Sequence, residues 1–271
     1  MIKFPGDTNR EFPGENRKLC EADQGILRCA CRDSESGHRE RLEFVVKGLG
    51  LPEVTKESLF AELFGCVLAR EVGLLAPRPV LVEVSPEFAE LINGSKLLQG
   101  DVSLQPGLAV GFEYYNQALL PATSIVSLTD EQFREAASIY CFDLVTQNPD
   151  RQASNPNCFL LRGHLVPIDF GMCFSFLYAL RLVDAAPWQV SHLRFAPSHL
   201  FAKHLRDRRP FDWDGEVFAQ VRPVLKSDRL TELVAAAPHE WRRRDEDVID
   251  HLVQVGEHFD EFKWELLRSV T

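Results

Sequence analysis

The sequence lacks the features that mark membrane-spanning, exported and zinc-binding proteins. No apolar run approaches the roughly 20 residues that a membrane helix needs, and the residues after Met1 contain no signal-peptide core. The seven cysteines include no Cys-x-x-Cys pair, which argues against a zinc site. We therefore expect a cytoplasmic protein with reduced cysteines and no membrane partner.

Two enzymatic patterns and an excess of positive charge are also missing. The chain has no His-Glu-x-x-His motif and no serine or cysteine in a nucleophile elbow, so we expect neither a histidine metal site nor a hydrolytic triad. Its formal net charge is -10, whereas a nucleic-acid partner requires a basic surface. Nucleic acid is therefore not expected as a partner.

The most specific pattern that is present begins at Asp150, with an amide at Asn155 and a second amide at Asn157. After a short apolar stretch, a second carboxylate follows in the triplet Asp169-Phe170-Gly171. In phosphoryl transfer, one carboxylate orients the attacking hydroxyl, and an amide oxygen and a second carboxylate hold magnesium against the nucleotide phosphates. The pattern therefore predicts a kinase-like phosphotransferase that uses ATP and Mg²⁺.

A β-hairpin is predicted between the two parts of this pattern. Residues 158–161 and 165–168 are apolar, and they flank the turn sequence Arg162-Gly163-His164. Because the two ends of a hairpin lie side by side, we expect Asp169 to lie near both asparagines.

A lysine and a glutamate further upstream support the same function. Residues 41–47 have the alternation of a strand that ends at Lys47, and an amphipathic helix is predicted from about Lys56 to Val72. A lysine in this position is well placed to contact the α- and β-phosphates of ATP. Glu62 lies at the flank of the apolar stripe of the helix, where it can pair with Lys47 and fix its pose.

The remaining patterns predict an α+β protein. Strands are predicted at residues 17–22, 26–32, 41–47, 80–84 and 108–113, and a short helix is predicted near 87–91. A longer helix is predicted from the N-cap Thr129 to about Gln147, and most of the chain beyond Gly171 has a helical pattern. The final amphipathic helix is predicted to run from Glu240 to about Ser269.

These segments resemble the HipA-like kinases, bacterial relatives of the protein kinases and phosphoinositide kinases. The resemblance lies in Val45-Val46-Lys47, in Glu62 together with residues 74–79, and above all in the segment from Asp143 to Phe174. The most specific matches there are Asn148-Pro149-Asp150-Arg151, Asn155-Pro156-Asn157 and Ile168-Asp169-Phe170-Gly171.

The resemblance implies a two-lobed, protein-kinase-like fold. Residues 1–113 would form an N-terminal nucleotide-binding lobe with an antiparallel sheet and one main helix, and residues 114–271 a mostly helical catalytic lobe. Phe112 would lie where the chain leaves the first lobe, next to adenine, with packing in the core as the alternative.

The resemblance also implies roles for the residues of the motif. Asp150 would be the catalytic base and Asp169 the main metal carboxylate. Asn155 would be the amide ligand of the metal, and Asn157 is a rival for that role because it also directly precedes an apolar strand. Lys47 would be the phosphate lysine.

Residues 32–39 are the candidate for the loop that covers the phosphates. Gly37, Arg32 and Arg39 could favour binding of phosphate, and Ser34 and Ser36 could supply hydroxyl or amide contacts. The loop has only one glycine, however, and its two acids would repel a triphosphate. An ordinary polar hairpin loop is the alternative, and autophosphorylation of Ser34 or Ser36 is a further hypothesis.

Two further functions remain open at this stage. A weak phosphate loop would suit a pseudokinase or nucleotide-sensing interaction module that binds ATP or a partner without turnover. An active enzyme could transfer phosphate to a protein hydroxyl, or to an antibiotic or another small molecule. The sequence does not identify the acceptor.

Overall fold

The structure is a computed structural model that describes residues 2–3, 20–23, 26–32, 41–95, 98, 102–114, 120–178, 186–206 and 211–270. The predicted phosphate-loop residues Ser34, Ser36 and Gly37 lie outside the described residues. The chain forms two compact units. The first comprises Met1–Leu63 and Pro77–Asn116, and the second comprises Phe64–Ala76 and Gln117–Thr271.

The first unit contains a six-stranded antiparallel sheet within the described residues. Its strands are β1 (Ile2–Lys3), β2 (Cys20–Asp23), β3 (Ile26–Arg32), β4 (Arg41–Lys47), β5 (Pro79–Val84) and β6 (Gly107–Glu113). They lie in the order β1-β5-β6-β4-β3-β2. The five predicted strands are confirmed within the described residues, which exclude 17–19, and their ends differ from the prediction by at most one residue there. Strand β1 was not predicted, because two residues carry no periodic signal.

The alternation of β4 places Phe44 and Val46 on one face of this sheet and Val45 and Lys47 on the other. Phe44 and Val46 are buried in a cluster with Val80 of β5, and Ile92 of helix α2 (Pro86–Asn93) completes the same cluster. Helix α2 begins at its N-cap Ser85, whose hydroxyl accepts a hydrogen bond from the next turn. Lys47 therefore projects from the opposite face of the sheet.

Helix α1 (Lys56–Glu71) confirms the predicted amphipathic helix. The boundary between the two units falls within it, since residues up to Leu63 belong to the first unit and residues from Phe64 to the second. Two residues after the helix ends at Glu71, Gly73 has a φ of 85°, the left-handed conformation that favours glycine. The N–H of Leu74 then donates to the carbonyl of Ala69 at 2.9 Å, which satisfies one of the last carbonyls of the helix.

The second unit is mostly helical, with one small sheet. Its helices are α3 (Asp130–Val145), α4 (Ala202–Leu205), α5 (Ala219–Val221), α6 (Ser227–Val234), α7 (Asp245–Glu257) and α8 (Phe259–Ser269). Its antiparallel sheet has the order β7 (Leu120–Pro121), β8 (Cys158–Leu161) and β9 (His164–Pro167). Thr129 caps α3 as predicted, in a capping box with Gln132. Among the described residues, no helix has the length and apolar composition needed to cross a membrane.

The prediction of one long C-terminal helix is wrong, because α7 and α8 are separate helices. At His258 the backbone leaves the helical region, with φ −102° and ψ 33°. The N–H of Phe262 donates to the carbonyl of His258 at 3.0 Å and so begins the second helix. Val255 and Phe259, which flank the break, are both buried. The apolar spacing therefore continues across the break, and periodicity alone does not reveal it.

Candidate active site

The segment after α3 brings the predicted motif residues together. The N–H of Asn148 donates to the carbonyl of Asp143 at 2.8 Å as the chain leaves the helix. Gln152 and Asn155 then exchange two backbone hydrogen bonds, with N···O distances of 3.0 and 3.1 Å. This tight loop returns Asn155 to the side of Asp150.

Both predicted amides contact the carboxylate of Asp150. The side-chain Nδ2 of Asn155 donates to its Oδ1 at 2.9 Å, and the Nδ2 of Asn157 donates to its Oδ2 at 2.8 Å. The backbone N–H of Asp150 donates to Oδ1 of Asn148 at 3.2 Å. Each oxygen of the carboxylate thus accepts one hydrogen bond from an amide N–H. The Oδ1 atom of each asparagine takes no part in these bonds and can accept another contact.

The predicted β-hairpin is confirmed and carries the second carboxylate back to this loop. Its turn has positive φ at Arg162 (52°) and Gly163 (93°), as a two-residue type I′ turn requires. His164 belongs to β9 and not to the turn as predicted. At the base of the hairpin, the N–H of Ile168 donates to the carbonyl of Asn157 at 2.9 Å, which places Asp169 beside the asparagine.

Asp169 and Asn157 both have left-handed backbone conformations. Their φ angles are 55° and 38°, values that non-glycine residues seldom adopt. Such conformations persist where the surrounding structure fixes them, and they are frequent at functional sites. Here the base of the hairpin supplies that constraint.

The electrostatics of the loop favour a basic carboxylate at Asp150. Partial burial raises the pKa of Asp150, and the negative charge of Asp169 raises it further. The amide donors of Asn155 and Asn157 and the charge of Arg151 act in the opposite direction, but the net shift of the pKa is upward.

A buried polar network that the sequence did not predict lies beneath this loop. Asp143, which is fully buried, accepts hydrogen bonds from Nε of Arg151 at 2.6 Å and from Nε2 of His199 at 2.9 Å. The side-chain Nδ2 of Asn148 donates to the same carboxylate at 3.0 Å. The one signal in the sequence is an aspartate among apolar residues of α3, since a buried charge requires partners.

Arg151 connects this network to both ends of the hairpin. Its Nη1 donates to the carbonyls of Asn157 and of Ile168, the latter at 3.1 Å. Its guanidinium also lies 5.7 Å from the centre of the Phe170 ring. Arg151 therefore fixes the residues that immediately precede Asp169 and those that carry the amide of Asn157.

The surroundings of His199 define its protonation. The N–H of Phe201 donates to Nδ1 of His199 at 3.2 Å, so Nδ1 has no proton and Nε2 donates to Asp143. Burial lowers the pKa of His199, which keeps the imidazole neutral. Burial alone would raise the pKa of Asp143, but Arg151 and His199 hold it below its ordinary value.

We expect the free energy of unfolding to fall as the pH drops below about 6.5, the ordinary pKa of histidine. In that range the unfolded chain binds a proton at His199, whereas the folded protein, with its lowered pKa, does not. One such group changes the free energy of unfolding by up to roughly 1.4 kcal/mol per pH unit. Urea unfolding at a series of pH values from about 7.5 to about 5.5 measures this dependence.

The control is His199→Gln, because the amide of glutamine can still donate to Asp143 but does not titrate. Its unfolding free energy should have a shallower dependence on pH over the same range. Asp143 and Arg151, the charged groups that face His199, keep their charges throughout. An equally steep dependence in His199→Gln would assign the effect to another group.

The predicted contact between Lys47 and Glu62 is present in the first unit. Their side chains form an ion pair and are 18% and 3% exposed, respectively. Phe112 lies opposite Val45 in the pairing of β4 with β6, and thus on the same face of the sheet as Lys47. Its side chain is buried.

The donor set in the second unit suits a hard divalent cation. Asp169 offers carboxylate oxygens, and Asn155 and Asn157 each offer an amide oxygen, which are the ligands that Mg²⁺ prefers. Both asparagines donate to the carboxylate of Asp150, so both lie at the proposed site. The structure therefore agrees with the sequence spacing, which makes both of them candidate ligands.

Comparison with known proteins identifies a family and a fold. A family model described as HipA-like kinase matches residues 21–266. The crystal structure of a Helicobacter pylori proinflammatory kinase, CtkA, is similar with a TM-score of 0.52, and the similarity covers 96% of this chain and 97% of that one. At 13% sequence identity this similarity concerns the fold, and it confirms the predicted kinase-like fold of the α+β class. No curated protein matches the sequence.

Proposed function

The chain belongs to the HipA-like kinase family, and we propose that it is a Mg-ATP-dependent phosphotransferase that transfers the γ-phosphate to a hydroxyl of a protein or a small molecule. The convergence of four side chains in the second unit carries this proposal. The carboxylate of Asp150 is hydrogen-bonded by the amides of Asn155 and Asn157. Asp169 directly follows Ile168, whose N–H donates to the carbonyl of Asn157 at 2.9 Å.

Asp150 would orient the acceptor hydroxyl and accept its proton. Its raised pKa supports this role, because a carboxylate that binds a proton more readily is a stronger base at neutral pH. The two amide donors would keep the carboxylate in one orientation, so that little reorganisation is needed when the hydroxyl arrives.

Asp169 would hold magnesium together with the Oδ1 of Asn155 or of Asn157. The ion, when bound, neutralises negative charge on the phosphates. Asn157 is partly buried and joined to the base of the hairpin, whereas Asn155 is exposed. Both fit as oxygen donors, and both remain candidates.

Lys47 would bind the α- and β-phosphates, with Glu62 as its positioning partner. Glu62 is almost completely buried, and a buried carboxylate is stable only when its charge is paired. The lysine is less buried than its partner, so its ammonium can bind a phosphate while the glutamate restrains it.

Calorimetric titration with ATP, with and without Mg²⁺, tests the proposal. Wild type should bind ATP in a Mg²⁺-dependent manner, and Asp169→Ala should lose that dependence because it removes the main metal carboxylate. Asp250→Ala is the matched control, since Asp250 is an exposed aspartate of α7 that has no place in the proposed site. The control should bind ATP as wild type does.

The other outcomes of this titration have different meanings. If wild type does not bind millimolar ATP, the protein does not use this nucleotide and the proposal is wrong. If ATP binds in the titration but a separate assay with γ-labelled ATP detects no phosphate transfer, the protein is a nucleotide-sensing module. The two acids within residues 32–39 favour that second function, because they would weaken contacts with a triphosphate.

A further inference from the structure

A second group of potential metal ligands lies at the tip of the hairpin, away from its base. Glu131 and Glu135 are one turn apart on α3, and His164 is the first residue of β9. Nδ1 of His164 lies 2.7 Å from Oε1 of Glu135 and 3.8 Å from Oε1 of Glu131. One ligand atom from each of the three side chains lies within 4.8 Å of the other two.

The two elements that carry these ligands are held together by bonds that do not need an ion. Nε2 of Gln132 donates to the carbonyl of Gly163 in the turn at 2.9 Å. The N–H of Leu165 donates to Oε2 of Glu135 at 2.8 Å. The second bond fixes the carboxylate and leaves its other oxygen, Oε1, directed at His164. Glu135 and His164 are therefore held next to each other before any ion binds, and Glu131 lies one turn away on the same helix.

The chemistry of the three ligands differs from that of the magnesium donors at the base of the hairpin. Imidazole suits Zn²⁺ and other first-row transition metals, whereas Mg²⁺ prefers oxygen ligands in a regular octahedron. Two carboxylates and a neutral imidazole also balance the charge of a divalent ion. Since Glu131 is 62% exposed, the solvent side of the group is open to water as the remaining ligand.

We propose that Glu131, Glu135 and His164 bind a divalent transition-metal ion, of which Zn²⁺ is the best match. On binding, Nδ1 of His164 releases the proton that it shares with Glu135 and donates its lone pair to the metal. This proposal departs from the expectations from sequence that the protein has no zinc site and no histidine metal site. The ligands come from two elements that are distant in sequence, since Glu135 and His164 are 29 residues apart. No short sequence motif therefore contains all three ligands.

Titration of the full chain with Zn²⁺, and with Co²⁺ as a spectroscopic probe, tests this proposal. Wild type should bind one equivalent, and Glu131→Gln and His164→Ala should each weaken binding at least tenfold. Glu131→Gln is the more informative variant, because its side chain is exposed and the substitution keeps its shape. Zn²⁺ should also raise the Tm of wild type by several degrees, because the ion binds only the folded state.

Two control variants separate this site from other metal ligands. His258→Ala removes an exposed histidine that pairs with Glu261 at 3.4 Å, and it should bind the metal as wild type does. Asp169→Ala should also keep Zn²⁺ binding while losing the effect of Mg²⁺ on ATP. The test therefore remains valid even if the protein proves not to bind ATP.

Three results would overturn the proposal. The first is the absence of Zn²⁺ binding to wild type at millimolar concentrations. The second is undiminished binding in both Glu131→Gln and His164→Ala. The third is a thiolate-to-metal charge-transfer band in the Co²⁺ complex, which would assign the ion to cysteines. Burial raises the pKa of the Cys141 thiol, which disfavours its thiolate as a competing ligand.

Discussion

Asp150→Ala is expected to reduce the rate of phosphoryl transfer by about 10²–10⁴-fold, the usual contribution of a general base. ATP binding should remain largely intact, because Lys47 and Asp169 are unchanged. The reason lies in the geometry of the carboxylate, which is oriented by two amides and has a raised pKa. Transfer rates measured with γ-labelled ATP, together with calorimetric ATP binding, give both quantities.

Asp150→Asn provides a second variant with nearly the same shape. An asparagine at this position can still accept one hydrogen bond from a neighbouring amide, but it cannot accept the proton of the hydroxyl. A similar loss of rate in both variants would identify the proton acceptor, while Asp250→Ala should transfer phosphate like wild type. Full activity in Asp150→Ala would show that another residue has this role.

Asp143→Ala is expected to lower the free energy of unfolding by about 3–5 kcal/mol, because it breaks a buried ion pair and leaves its partner charged. Arg151 would lose its bonds to the carboxylate, and His199 would lose the acceptor of its Nε2 proton. Urea unfolding should show a lower midpoint with a similar m-value. Activity should fall as well, because Arg151 also holds the residues next to the proposed magnesium ligands.

Two further variants test whether the loss of unfolding free energy in Asp143→Ala arises from the unpaired charge of Arg151. Asp247→Ala removes an exposed partner of Arg244 at 2.7 Å and should cost less than about 1 kcal/mol. The double variant Asp143→Leu/Arg151→Met should be more stable than Asp143→Ala, since it buries no unpaired ion. The double variant should regain only part of the lost stability, because methionine cannot donate to the carbonyls of Asn157 and Ile168. If Asp143→Ala lowered the free energy of unfolding no more than Asp247→Ala does, the unpaired charge would not be the cause.

The parts of the site that the sequence predicts correctly depend on local patterns. The hairpin follows from two apolar runs around Gly163, and the turn imposes the pairing that brings Asp169 back to Asn157. The pair of Lys47 and Glu62 follows from a strand with period two and from the helix after it, each of which fixes the direction of one side chain.

The parts that the sequence does not predict depend on contacts between distant segments. Asp143 and His199 are 56 residues apart, and nothing near either residue specifies the other. The proposed metal ligands at the hairpin tip also come from segments that are distant in sequence. Glu131 and His164 become neighbours only when the hairpin packs on α3. The break at His258 was missed for a different reason, because buried Val255 and Phe259 keep a helical spacing across it.

The bonds of Arg151 also bear on the order in which the protein assembles during translation. Its side chain reaches the carbonyls of Asn157 and Ile168, and its own carbonyl accepts the N–H of Leu200. A nascent chain that ends before His199 lacks both this bond and the imidazole that donates to Asp143. The contacts of the loop that bears Asp150 are therefore complete only after this segment has left the ribosome, so a truncated product of synthesis carries the motif without the contacts that hold it in place.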